Sequence, residues 1–186
     1  MTHLRVYFAD RPDTPLADTR DASGIAALLA PLGVRFEQWP SRALPEGAGQ
    51  DAVLAAFAPE VERLKAEKGY RSVDVIRMVP DHPDKAALRR KFLSEHRHAE
   101  DEVRFFVEGA GLFTLRDQDR VYAVLCEQGD LISVPAGTRH WFDMGPSPRF
   151  TAIRLFIDPD GWVANFTGDA IAERFPRHEP VQGQGG

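Results

Sequence analysis

The sequence predicts a mainly β fold with added helices, in which an antiparallel β-barrel fills the second half of the chain. From residue 102 onward, short runs of β-branched and aromatic residues are separated by Gly, Pro and Asp at close intervals, which is typical of antiparallel strands. Before that point, apolar residues recur at helical spacing. We expect one domain over residues 1–178, with a helical and β elaboration in 1–95 and the barrel core in 96–166.

Composition is that of a globular protein. The chain has 186 residues, 43% hydrophobic and 27% charged. Its net charge of -5, without a run of Lys or Arg, argues against a nucleic-acid or membrane partner. No signal pattern and no apolar run of about 20 residues is present, so a cytoplasmic location is expected. Cys126 is the single cysteine, which excludes an intramolecular disulfide and favours a buried, inert thiol.

The first part of the chain is predicted to contain two strands with a helix between them. Residues 4–9 and 34–39 have strand character, and we expect these two strands to pair. Residues 21–33 indicate a helix, for which Asp21 or Ser23 is the expected N-cap.

Further helices precede the barrel. Apolar residues follow a helical period in 50–70, where Pro59 should divide or kink the helix. Residues 72–80 alternate as a strand does, and 82–96 indicate another helix that starts near Pro83.

The barrel itself is predicted from six β-forming runs. They lie at residues 102–109, 111–117, 121–127, 130–135, 139–143 and 150–157. The Gly- and Gln-rich tail, 179–186, is expected to be disordered.

Titratable side chains gather where the barrel is predicted to begin. In an extended strand His96 and His98 share one face, and Glu102 and Arg104 keep the same parity. His140 follows on a later strand, beyond two turns rich in Gly and Pro. Three neutral imidazoles and one carboxylate suit a borderline divalent metal such as iron(II) or nickel(II). The pattern therefore predicts a metal site.

The spacing of these residues resembles a known pair of motifs. His-x-His-x3-Glu, closed by Gly109, and Gly-x5-Pro-x-Gly-x2-His resemble the motifs of the cupin superfamily. Arg90 and Met144 stand where those motifs have a glycine and a polar residue. The wider context, SVDVI, KFLSEHRHAEDEVRFFVEG, PAGTRHWFDMG and AIRLF…GWVANFTG, is similar to the acireductone dioxygenase family over about residues 70–168. The resemblance implies a cupin-type jelly-roll barrel.

That resemblance also implies a ligand set and an ion. The family's metal ligands fall on His96, His98, Glu102 and His140. One Fe2+ or Ni2+ per chain is the implied cofactor. No flavin or nicotinamide is expected, because the chain has no GxGxxG or phosphate loop.

Other positions match residues around the family's substrate. Arg104 resembles the catalytic basic residue that holds the anionic substrate, and Arg154 is a second candidate. Because Arg154 lies in an apolar strand, an ion pair with a carboxylate is the alternative. Phe92 and Phe142 match aromatic positions near the pocket, although such residues are more often core.

The sequence leaves the roles of Glu100 and Asp101 open. Either could orient a ligand imidazole or transfer a proton, or both could be solvated charges.

The implied reaction belongs to methionine salvage. The substrate would be 1,2-dihydroxy-3-keto-5-methylthiopentene, cleaved with O2. The iron form would give 4-methylthio-2-oxobutanoate and formate, and the nickel form 3-methylthiopropanoate, formate and CO. A monomer is expected. The rival functions are another metal-dependent cupin enzyme, such as a different dioxygenase or a sugar isomerase, and a cupin-type binding module without catalysis.

Overall fold

A computed structural model describes residues 1–179, so the predicted tail, apart from Glu179, lies outside the described residues. Within 1–179 there are eleven strands and four α-helices. The strands are β1 (His3–Phe8), β2 (Arg11–Thr19), β3 (Arg35–Gln38), β4 (Ser72–Met78), β5 (His96–Arg97), β6 (Glu102–Asp117), β7 (Arg120–Glu127), β8 (Asp130–Val134), β9 (Arg139–Asp143), β10 (Phe150–Phe156) and β11 (Asn165–Phe166). The helices are α1 (Ala22–Leu29), α2 (Gln50–Ala56), α3 (Ala58–Lys68) and α4 (Lys85–Leu93).

Strand β6 joins the two layers of the barrel. Its first half pairs with β8 and β10, and its second half pairs with β7 and β9. One layer has the order β11-β5-β9-β6-β7-β1-β2, and the other contains β4, β10, β6, β8 and β3. All these pairings are antiparallel. The predicted fold class, mainly β with an antiparallel barrel and added helices, is confirmed.

Gly109 marks the point where β6 passes from one layer to the other. Its φ of +75° is left-handed, and a Cβ there would lie 1.9 Å from the carbonyl oxygen of Arg149. Only glycine fits this close approach of β10 to β6. The two runs predicted at 102–109 and 111–117 are therefore one strand bent at a glycine rather than two separate strands.

Alternation along β6 separates the barrel interior from a layer under the helices. Arg104 and Phe106 point inward, whereas Val103, Phe105 and Val107 pack with α2 and α3. Both faces of this half of β6 are consequently buried. The helices thus shield the strand that carries the charged residues predicted for the site.

The predicted helices are confirmed, with shifted ends. Asp21 caps α1, its side chain accepting a hydrogen bond from the Gly24 N–H at 2.7 Å. The helical region around Pro59 is divided into α2 and α3, as predicted. Helix α4 ends at Leu93 rather than at residue 96, because the chain turns extended at Ser94. No helix within residues 1–179 has the length and apolar character needed to cross a membrane.

The predicted pairing of the first strand with 34–39 is wrong. Strand β3 pairs with β8, while β1 pairs with β7 and with β2. No strand was predicted for β2, because Pro12 and Pro15 disfavour a central strand. β2 lies at the edge of its sheet, where a missing N–H is tolerated.

Gly109→Ala should destabilise the fold far more than a glycine replacement without a clash. Gly69, with φ +75° and no atom within 4 Å of its Cβ position, is the matched control. We expect Gly69→Ala to lower the free energy of unfolding by about 1–2 kcal/mol. Gly109→Ala should lower it by more than about 3 kcal/mol. Urea unfolding of the two variants checks this, and equal losses would contradict the described approach of Arg149.

Candidate metal centre

Three histidines, on β5, directly after β5 and on β9, meet inside the barrel. His96 of β5 lies directly opposite His140 of β9 in the antiparallel register, and His98 follows β5. One ring nitrogen of each lies within 4.8 Å of the corresponding atoms of the other two. All three side chains are buried. The structure thus brings together the histidines that the sequence predicted as ligands.

Backbone carbonyls orient all three rings. Each carbonyl lies at hydrogen-bond distance from an imidazole Nδ1. The pairs are His96 with Ser94 at 2.7 Å, His140 with Thr138 at 2.8 Å, and His98 with Val163 at 3.2 Å. A carbonyl only accepts, so Nδ1 carries the hydrogen and Nε2 keeps its lone pair when the ring is neutral. The Nε2 atoms are then available to a metal ion.

Glu102 lies beside two of the Nε2 atoms. One of its oxygens is 2.8 Å from His140 Nε2 and 3.2 Å from His98 Nε2. Burial disfavours the charged carboxylate, but the Arg104 charge and the two imidazoles outweigh it and hold the pKa of Glu102 well below its usual value. The group is therefore a carboxylate, as a metal ligand must be.

The imidazoles differ in their affinity for protons. Burial, with the His140 ring beside it, lowers the pKa of His96 to about 4. Burial also disfavours the His98 cation, but the hydrogen bond and charge of Glu102 outweigh burial and raise the pKa of His98. In the absence of a metal ion, Glu102 thus stabilises a proton on His98 in particular.

Arg104 is a buried cation beside the carboxylate. Its Nε is 2.9 Å from Glu102 Oε1 but out of line for a hydrogen bond, so the contact is an ion pair. The guanidinium carbon lies 5.5, 4.7 and 5.8 Å from the ring centroids of Phe113, Phe142 and Trp162. Among the described residues none accepts an aligned hydrogen bond from Arg104 Nε.

Arg154 lies opposite Arg104 in the register of β6 and β10, yet it has a different partner. Its Nε and one terminal nitrogen are 2.8 and 2.6 Å from the two carboxylate oxygens of Asp74 on β4. The ion pair considered for this position is therefore present. Its guanidinium carbon is also 5.4 Å from the Trp162 ring centroid, so Arg154 packs behind that indole.

The two predicted aromatic positions occupy different environments. Phe142 is buried, with its ring centroid 4.7 Å from that of Phe113, and its ring also faces Arg104. It is a core residue that also lines the site. Phe92, on α4, is half-buried and packs against the barrel core.

Neither Glu100 nor Asp101 orients a ligand imidazole. The Glu100 carboxylate accepts hydrogen bonds from the N–H groups of Ile157 and Asp158, and Asp101 accepts one from Ala136 N–H. The carbonyls take the orienting role instead. Backbone groups leave no signal in a side-chain pattern, so sequence reasoning could not find them.

Trp162 closes one side of the site. Its ring is nearly parallel to that of His98, with centroids 6.0 Å apart, and its Nε1 donates a hydrogen bond to the Asp101 carbonyl. The next residue supplies the carbonyl for His98. The structure places Trp162 against the predicted ligand His98 and the guanidinium of Arg104.

Comparison with known proteins identifies relatives along nearly the whole chain. The model of the ARD/ARD' family matches residues 45–164. The acireductone dioxygenase of Pseudomonas aeruginosa (strain UCBPP-PA14) is 61% identical over 177 residues, which cover 95% of this chain and 98% of the relative. That of Parvibaculum lavamentivorans is 60% identical over 180 residues, 96% of this chain and 98% of the relative.

A solved structure agrees with the fold. The acireductone dioxygenase from Bacillus anthracis, which has a cadmium ion in its active centre, matches with a TM-score of 0.79 and 31% identity. The match covers 89% of this chain and 98% of that one.

We expect His96 of the metal-free protein to be neutral, with its hydrogen on Nδ1, at about pH 5.5. Its lowered pKa and the Ser94 carbonyl both require this. His98 should carry two ring hydrogens at that pH, because its pKa is raised. Long-range proton–nitrogen NMR of the imidazoles distinguishes these forms. A hydrogen on Nε2 of neutral His96, or its titration near pH 6.5, would contradict the described geometry.

Proposed function

The chain belongs to the acireductone dioxygenase family, an enzyme family, and we propose that it cleaves 1,2-dihydroxy-3-keto-5-methylthiopentene with O2 at the His96, His98 and His140 cluster. One observation carries the proposal: ring nitrogens of three buried histidines converge, a Glu102 oxygen contacts two of them, and the buried Arg104 guanidinium lies beside Glu102. Relatives of about 60% identity over almost the full length share the family name.

We propose that the three Nε2 atoms and Glu102 hold one Fe2+ or Ni2+ per chain. The donor set fits such an ion, because imidazole nitrogen with one carboxylate suits borderline divalent metals. The cadmium ion in the active centre of the Bacillus anthracis relative supports a divalent site. When bound, the ion would attract the enediolate oxygens of the substrate and favour its deprotonated form.

Arg104 is proposed to hold the anionic substrate. A divalent ion, the Glu102 carboxylate and the Arg104 guanidinium together carry a charge of +2. A dianionic enediolate would bring the buried space to neutrality, whereas a neutral diol would leave it charged. Because charges interact strongly away from water, this balance favours the electron-rich dianion.

Electrons for O2 would come from the enediolate itself. In the iron form, the bond between the two enediol carbons breaks, and one oxygen atom of O2 enters each product, formate and 4-methylthio-2-oxobutanoate. In the nickel form, the same two oxygen atoms enter formate and 3-methylthiopropanoate. The carbon that lay between the two new carboxylate carbons leaves as CO. No further reductant is needed in either balance.

The residues around the cluster are assigned supporting roles. Phe142 and Phe92 would form an apolar wall for the methylthio tail. Arg154, held by Asp74, would contribute positive charge behind Trp162 rather than contact the substrate directly.

Residues 1–178 are proposed to form a single domain. We also predict that the protein is a monomer in the cytoplasm and has no nucleic-acid or membrane partner.

Protein loaded with iron or with nickel should consume O2 with the acireductone and differ in products. We expect formate from both forms, CO from the nickel form only, and the 2-oxo acid from the iron form only. Elemental analysis, an oxygen electrode and chromatography of the acids measure these quantities. Metal-replete protein that leaves acireductone and oxygen untouched would refute the proposal.

Two substitutions should separate metal binding from substrate binding. His140→Ala removes a proposed ligand, so metal content and activity should fall together. Arg104→Ala should keep the metal content near one per chain while lowering kcat by about 10²–10³-fold, as expected when a buried charge opposite a developing anion is removed. Metal content by elemental analysis and kcat by oxygen uptake are the readouts. Loss of metal from Arg104→Ala would contradict its assigned role.

A further inference from the structure

Helix α4 is fastened to β9 by a partly buried ion pair outside the metal centre. Arg89 of α4 donates from Nε to one Asp143 carboxylate oxygen at 2.7 Å and from a terminal nitrogen to the other at 3.0 Å. The Asp143 side chain is 2% exposed and that of Arg89 is 23% exposed. Such bidentate contacts fix both the distance and the angle between the groups they join.

Each end of this ion pair belongs to a segment that carries proposed ligands. Asp143 is on β9, three residues after His140. Arg89 is on α4, which runs directly into β5 through Ser94, and the Ser94 carbonyl accepts the Nδ1 hydrogen of His96. The position of α4 therefore decides where that carbonyl lies.

Strand pairing alone holds the two ligand segments together weakly. β5 has only two residues, and its contact with β9 is the single register pair His96 with His140. A strand this short cannot fix its own position along a neighbour, since register is specified by several alternating contacts. The His98 carbonyl also accepts a hydrogen bond from Gly137 N–H, in the turn before β9, at 2.9 Å. Arg89 with Asp143 adds a tie between α4 and β9 themselves.

We propose that Arg89 and Asp143 are positioning residues that set the spacing and orientation of the His96 and His98 imidazoles relative to His140. Neither residue would touch the metal ion or the substrate. This inference rests on the proposed function, because it takes the three histidines as ligands. Partners of metal ligands that fix ring orientation affect metal affinity strongly even without contacting the ion.

Arg89 can be replaced without leaving Asp143 unsatisfied. The carboxylate also accepts hydrogen bonds from the N–H groups of Gly145 at 2.8 Å and His178 at 2.9 Å. An Arg89 variant should therefore fold, while an Asp143 variant would disturb three segments at once. For this reason Arg89 is the informative position.

Cobalt(II) alone is the probe for the test. Arg89→Met keeps the length and packing of the side chain but removes the charge and both donors. We expect it to weaken cobalt(II) binding to the metal-free protein about tenfold to a hundredfold, and to change the visible absorption of the bound ion. Arg89→Lys, which restores the charge but cannot make the bidentate contact, should recover part of the affinity for cobalt(II). Arg90→Met, the same change at the exposed neighbouring residue of α4, should match the wild type.

The outcomes separate this inference from the proposed function. If the wild type itself does not bind cobalt(II), the metal centre is wrong. If the wild type binds and Arg89→Met binds within twofold with an unchanged spectrum, the metal centre stands and the positioning role is overturned. Urea unfolding of the metal-free variants is measured in parallel, because a merely structural role would lower stability without changing affinity or spectrum under folding conditions. Should Arg89→Met fail to fold, the same comparison is made with Arg89→Lys, for which wild-type affinity and spectrum would likewise overturn the role.

Discussion

The commitment of three imidazole Nδ1 groups to backbone carbonyls is the constraint on which the rest of the site depends. A ring whose Nδ1 hydrogen is held by a carbonyl presents the Nε2 lone pair in one direction. The carbonyls come from the end of α4, from the turn before β9 and from the segment after β10. Convergence of the Nε2 atoms is therefore a property of how three separate segments are packed. The barrel supplies that packing, and the helices fasten it.

The arrangement of β6 buries the charged residues of this site. Two of its inward residues, Glu102 and Arg104, are charged, and its outward residues Val103, Phe105 and Val107 are apolar and lie under α2 and α3. The strand is thus covered on the side away from the site as well as within it. Shielding of this kind lowers the effective dielectric and strengthens the interactions of both charges. The bend at Gly109 then carries the same strand into the sheet that contains β9, so that Glu102 reaches His140.

Prediction from the sequence succeeded where a residue type at a given spacing allows only one structural interpretation. The parity of His96 and His98 predicted a shared face, and Pro59 predicted the division between α2 and α3. It failed where the partner of a group lies elsewhere in the chain. The pairing of β3 with β8 is set by tertiary packing, and β2 is an edge strand whose prolines hide it. The carbonyl partners of the imidazoles likewise cannot be predicted from the sequence, because every residue has a backbone carbonyl.

The enclosure of Arg104 by aromatic rings explains why this position requires arginine. Burial disfavours a cation, and here it lowers the pKa of the guanidinium while Glu102 opposes that change. A lysine ammonium at the same depth would lose its proton more readily, since its pKa begins about two to three units lower. Phe113, Phe142 and Trp162 present ring faces that stabilise a flat, weakly hydrated cation and leave its edge free. A guanidinium can therefore stay charged inside the barrel and still offer N–H donors in a plane, the geometry suited to the two oxygens of an enediolate.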